Sequence, residues 1–205
     1  MNKLLYAVLF LMVCAQAAAD GDVEAGKRLY SVCAGCHGFQ GEGNVTVGSP
    51  KLAGQEEWYL SRQLQYFQQG VRGSAADDFY GRQMAPMALA IADERALGDV
   101  ITYIGTLPDF KPVVTVSGDT VRGQQLYDAC SACHGVHGEG VEALSSPKLA
   151  DLDDWYVVNQ LKLYAAGHRG THPSDSYGQQ MVPIVATFQD EQVIRDLAAY
   201  IATLD

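Results

Sequence analysis

Basic side chains are scarce in this 205-residue chain: 14 lysines and arginines stand against 24 aspartates and glutamates, a formal charge of −10 at pH 7. Such a surface repels nucleic acid and anionic lipid, and it favours partners with a basic docking face. Long apolar runs are missing as well. The stretch from Leu4 to Val13 is far short of the roughly 20 residues that a membrane-spanning helix needs. With Met1-Asn2-Lys3 before it and Ala15-Gln16-Ala17 or Ala17-Ala18-Ala19 after it, residues 1–19 have the layout of a secretory signal peptide. Cys14 offers a lipid-anchored alternative, disfavoured because branched Val13 stands where a small residue is expected. Removing Lys3 with the leader leaves 13 basic and 24 acidic side chains, a charge of −11. The remainder is expected to be periplasmic and soluble, with peripheral membrane contact at most.

Cysteine is also rare, with 5 in the chain, and the four beyond the leader come as two close pairs. Paired cysteines in an exported protein usually signal disulfides. The surrounding pattern argues otherwise, because the chain matches itself without a gap when shifted by 97 positions. Cys33, Cys36 and His37 fall on Cys130, Cys133 and His134. Ser49-Pro50-Lys51-Leu52 falls on Ser146-Pro147-Lys148-Leu149, and Trp58-Tyr59 on Trp155-Tyr156. Gly70, Arg72 and Gly73 meet Gly167, Arg169 and Gly170, while Tyr80-Gly81, Met84 and Pro86 meet Tyr177-Gly178, Met181 and Pro183. A period this long is a duplicated domain, not a solenoid.

Four segments follow: a leader over 1–19, a first domain over 20–108, a linker over 109–118 and a second domain over 119–205. The linker, with Pro112 and several β-branched residues, is expected to be extended and to lie against the domains. Charge is unequally shared. Residues 22–108 carry 7 basic and 10 acidic side chains, and 119–205 carry 5 and 12. Both halves are expected to be helical. A first helix leads from about Asp22 to Cys33, and a middle one includes Leu60, Leu64 and Phe67 and ends near Gly70. Asp93 and Asp190 are expected to cap last helices whose apolar stripes are Ala96, Leu97, Val100, Ile101, Ile104 and Val193, Ile194, Leu197, Ala198, Ile201.

Cys33-Ala34-Gly35-Cys36-His37 and Cys130-Ser131-Ala132-Cys133-His134 are both C-x-x-C-H, the attachment pattern of c-type haem. Two thiols one helical turn apart can each add to a vinyl group at one porphyrin edge, and the next imidazole then reaches the iron. A redox dithiol would not need the histidine, and zinc would need ligands from both halves. Met84 and Met181 are the methionines matched by the repeat and the candidates for the sixth ligand, with Met87 a rival in the first half. Pro50 and Pro147 either offer carbonyls to the ligating histidines or are ordinary turn prolines. Arg72 and Arg169 either pair with haem propionates or stand exposed beside their glycines. Trp58 and Trp155 are expected in the cores. His137, His168 and His172 lack counterparts and fall to loops.

These motifs resemble the dihaem cytochrome c4 family. The two C-x-x-C-H sites carry the resemblance, with Pro-Lys-Leu-Ala at 50–53 and 147–150 and methionines nine residues before Asp93 and Asp190. It implies an all-α fold: two tandem class I cytochrome c domains related by a pseudo-twofold axis, with their haems near the domain interface. It implies two covalently bound haem c groups, held by Cys33, Cys36, Cys130 and Cys133, with His37 and Met84, and His134 and Met181, on the irons. The expected function is electron transport, not catalysis: a periplasmic dihaem carrier between a quinol-oxidising donor complex and a terminal oxidase or reductase. Alternatives are the cytochrome subunit of an oxidoreductase such as a flavocytochrome sulfide dehydrogenase, and a dihaem peroxidase. The segments 70–83 and 167–180 are longer and richer in Asp, Ser and Tyr than the resemblance leads one to expect.

Overall fold

The computed structural model describes residues 21–188 and 190–205, so the expected leader and Cys14 lie outside the described residues. Eight α-helices and no strand occur among the described residues. They are α1 (Val23–His37), α2 (Glu57–Gln68), α3 (Phe79–Leu89), α4 (Glu94–Gly105), α5 (Thr120–His134), α6 (Asp154–Ala165), α7 (Gly178–Val185) and α8 (Glu191–Ile201). The second four repeat the first four. No helix among the described residues is long and apolar enough to cross a membrane.

Each half is assembled around a crossing of its first and last helices, α1 on α4 and α5 on α8. The last helices form where expected. Asp93 accepts a hydrogen bond from the Ala96 amide at 2.8 Å and Asp190 from the Gln192 amide at 2.9 Å, which satisfies otherwise orphaned donors in the first turn. Their apolar stripes are buried, Leu97 and Val100 in one core and Leu197 and Ile194 in the other. The first helices can lie close because of Gly26 and Gly123. A Cβ on either would overlap a backbone carbonyl oxygen of the opposing helix, that of Asp99 or Asp196. Those two aspartates are themselves buried and accept hydrogen bonds from the backbone of Asp22 (2.7 Å) and Asp119 (2.9 Å).

Helix α1 runs four residues further than the sequence suggested, through Cys36 and His37, so both thiols and the imidazole share its last turn. The middle helices end close to the expected glycines. Helices α3 and α7 were not anticipated, because Pro86 and Pro183 lie inside them and a glycine, Gly81 or Gly178, stands in the first turn of each. What begins each is a buried aspartate: Asp78 accepts from the Gly81 amide at 2.9 Å and Asp175 from the Gly178 amide at 2.8 Å. Residues 109–118 have no regular structure, as expected of an extended linker. They lie against the second half, where Asp154 accepts from the amides of Thr115 (2.6 Å) and Val116 (2.7 Å), and Val116 is buried in the core.

The halves meet through reciprocal contacts. The Lys51 amide donates to Asp153 at 2.7 Å, and the Lys148 amide donates to Glu56 at 2.8 Å. Arg72 donates to the Tyr156 hydroxyl at 2.9 Å, and Arg169 to the Tyr59 hydroxyl at 2.9 Å. Each contact is the other with 97 added to one partner and subtracted from its mate, as a twofold-related interface requires.

Candidate haem sites

Two of the residues that the repeat singled out carry the local frame of each site. The His37 Nδ1 lies 2.7 Å from the Pro50 carbonyl oxygen, and the His134 Nδ1 lies 2.7 Å from that of Pro147. A carbonyl only accepts, so Nδ1 carries the proton and Nε2 is left with its lone pair. Both rings are buried, and burial pushes each imidazole below its ordinary pKa against the opposing effect of the proline carbonyl. A neutral imidazole with a free Nε2 is the form that binds a metal. The two prolines are therefore more than turn residues.

The loop that brings each proline to its histidine is tied back by hydrogen bonds. The Gly43 amide donates to the His37 carbonyl at 2.8 Å, and Tyr30, buried in α1, donates its hydroxyl to the Gly38 carbonyl at 2.8 Å. Gly140 and Tyr127 repeat this at 2.9 and 2.7 Å. Tyr30 and Tyr127 were missed in the sequence, although the 97-residue repeat matches them and could have found them.

Among the described residues Cys33, Cys36, Cys130 and Cys133 form no disulfide. Burial raises the Cys33 thiol pKa, and burial with neighbouring Cys133 pushes Cys130 up to about 11. Among the described residues no group of three or more His, Cys, Asp or Glu side chains converges as a metal-binding cluster.

In the second half, Cys130, Cys133, His134 and Met181 line one large cavity, open to solvent, with apolar walls from Leu161 and Ile201. A flat apolar macrocycle attached through those thiols fits such a space, with the imidazole and the thioether available to its metal. In the first half His37 ends α1, and Met84 is half-buried on α3, the helix that corresponds to α7. Met87 is 40 % exposed, which favours Met84 over it. Residues 23–108 and 120–205 each match the family model for cytochrome c.

The chain belongs to the cytochrome c family, in its dihaem c4 branch.

Cytochrome c4 from Stutzerimonas stutzeri is 32% identical over the full length of both chains. Among solved structures, reduced recombinant cytochrome c4 from Pseudomonas stutzeri superposes with a TM-score of 0.68 at 30% identity, covering 90% of this chain and 100% of that one. A thiosulfate dehydrogenase from Marichromatium purpuratum superposes with a TM-score of 0.72 at 28% identity; the match covers 89% of this chain and 40% of that longer one. As a c4-type cytochrome the chain holds two covalent haem c groups in tandem cytochrome c domains and carries electrons.

Of the remaining side chains, the two arginines depart most from expectation, while His168 and His172 lie in loops as expected. Arg72 and Arg169 are not exposed. Arg169 is 8 % exposed, and its guanidinium donates to Gln160 at 2.7 Å, Tyr59 at 2.9 Å and Gln63 at 3.2 Å. Arg72 does the reverse, donating to Gln63 at 2.8 Å, Tyr156 at 2.9 Å and Gln160 at 3.0 Å. Sequence alone concealed this because every acceptor except Gln63 or Gln160 sits in the opposite half. Trp58 and Trp155 are half-buried, and Trp155 packs on the second core. His168 meets Asp77 of the other half at 3.5 Å, and His172 accepts from the Ser174 amide within its loop.

Proposed function

We propose that Cys33 and Cys36 attach one haem and Cys130 and Cys133 the other, with His37 and Met84, and His134 and Met181, as the axial pairs. The observation that carries this is the locked imidazole, with its Nδ1 held 2.7 Å from a proline carbonyl in both halves. The lock fixes ring orientation and strengthens the lone pair on Nε2. A bound haem supplies one-electron redox chemistry. The chain's own residues then set its potential: thioether ligation raises it and closes the iron to small molecules. That favours a carrier over a peroxidase. Domain boundaries at 20–108, 109–118 and 119–205 fit the two cores and the linker between them.

The protein is exported to the periplasm with its leader cleaved, and it passes electrons from a respiratory donor complex to a terminal oxidase or reductase. Its acidic surface points to partners whose docking faces are basic. A second reading, as the cytochrome module of a larger oxidoreductase, draws support from the likeness to the thiosulfate dehydrogenase structure. Native purification separates the two, since a module copurifies with a catalytic subunit and a shuttle does not.

Mass spectrometry of the secreted polypeptide is expected to show two added porphyrins and loss of the leader. In an optical redox titration, Met84→His lowers one potential markedly, leaves the other nearly alone, and halves the near-infrared sulfur-to-iron band. One porphyrin, or equal shifts at both haems, overturns the assignment.

A further inference from the structure

The interface is largely symmetric, and one of its exceptions falls beside the second site. Arg72 and Arg169 are related by the repeat, so they act alike on both halves. Arg62 is not: the repeat places Asn159 at its position. From α2 of the first half, Arg62 crosses to the second half and donates to the Ser145 carbonyl at 2.8 Å. Its guanidinium lies over three aromatic rings, Tyr177 at 4.5 Å, Trp58 at 4.8 Å and Tyr59 at 5.6 Å. It helps line the cavity that contains Cys130, His134 and Met181. Among the described residues no carboxylate lies within salt-bridge distance of it, and its buried Nε has no hydrogen-bond partner. No carboxylate therefore pairs with this charge in the wall of the second site, and the repeat puts a neutral amide, Asn159, at the corresponding position of the other half.

On the reading that each site holds one haem, we propose that Arg62 raises the reduction potential of the C-terminal haem above that of the N-terminal one. Oxidised haem iron carries one more positive charge than reduced iron, so a fixed cation nearby disfavours the oxidised form. If the guanidinium instead pairs with a haem propionate, it removes a negative charge and acts in the same direction. In a molecule that has taken up one electron, Arg62 thus draws that electron to the second half. The N-terminal iron is left oxidised and ready to accept the next.

Other unmatched charges oppose this, but from weaker positions. The second half has more acid, and Arg82 on α3 has the neutral Gln179 as its counterpart on α7. Arg82 is exposed, as is Glu142 on the loop in front of the second cavity. Solvent and salt screen such charges, whereas a guanidinium packed between rings at a domain interface acts through a medium of lower dielectric.

The test is a redox titration of the full dihaem protein, with Met84→His marking the N-terminal haem. Arg62→Gln is expected to lower the C-terminal potential and leave the N-terminal one nearly unchanged, so that the half-reduced molecule shifts several-fold towards an electron on the first half. Arg62→Lys should retain most of the wild-type separation, and Asn159→Arg should raise the N-terminal potential. Haem content and the sulfur-to-iron band must remain intact in each variant. Their loss would indict the ligand assignment, not the role of Arg62. Equal shifts of both haems in Arg62→Gln, or a fall in Arg62→Lys as large as in Arg62→Gln, would overturn the proposal.

Discussion

Single residues matter most where two backbones touch. Gly26 of α1 lies against the Asp99 carbonyl of α4, and any side chain there must push the helices apart. Because α1 ends in Cys36 and His37, that displacement reaches the haem site. Gly26→Ala is expected to cost about 1–3 kcal/mol, the range for overpacking a close contact. Gly98, in the middle of α4, supplies the control, since a Cβ there meets nothing within 4 Å. Gly98→Ala should be neutral or stabilise by roughly 0.5–1 kcal/mol through helix propensity alone. Urea denaturation of the two variants side by side checks the contrast. The repeat already matches Gly26 to Gly123, yet the sequence shows only that a glycine is kept, not which carbonyl it faces.

At the scale of the element, the helices divide by what starts them. Helices α4 and α8 have a side-chain cap, an acidic first turn and a continuous apolar stripe, so their place in the chain was legible. Asp93→Ala should cost about 1 kcal/mol, as loss of an N-cap does. The loss should appear as earlier unfolding of the first half, followed by circular dichroism during denaturation. Helices α3 and α7 have an internal proline and a glycine in the first turn, and these signals read as loop. They are helical because buried Asp78 and Asp175 organise the turn before them and because α2 and α6 pack on them. Tertiary packing outweighs local propensity here, and the two methionines are carried on those helices.

The whole molecule is held by polar contacts across the pseudo-twofold axis and by the linker. Asp109, the first linker residue, meets Lys51 of the first half at 2.5 Å and Lys148 of the second at 3.3 Å. Partial burial works to raise the Asp109 carboxyl, but the hydrogen bond and charge of Lys51, joined by Lys148, outweigh it and hold the pKa below its ordinary value. A carboxyl lowered in the folded state stabilises it fully above the unfolded pKa, and that contribution is lost as pH falls through the folded pKa. Wild type should therefore be more stable than Asp109→Asn at neutral pH, and the gap should close below about pH 4. Thermal unfolding at a series of pH values measures it. A gap that persists unchanged to pH 2 would show that the two lysines do not act through this charge. Arg72 and Arg169 belong to the same scale. Arg169 is buried and Arg72 half-buried, and each donates to a tyrosine and a glutamine of the opposite half.

Much of what is fixed within about one helical turn was already determined by the sequence. The C-x-x-C-H spacing dictates that two thiols and an imidazole share a helix end, the caps dictate where the last helices begin, and the repeat dictates that all of this happens twice. Only the tertiary structure decided which side chains cross between the halves. Arg72 and Arg169 could be read from the sequence as exposed or as partners of haem propionates, yet both, with Arg62, are drawn into the interface. The reason is physical: a local pattern specifies the geometry of neighbours along the chain, whereas the partner of a side chain at a twofold interface depends on how two folded bodies turn against each other.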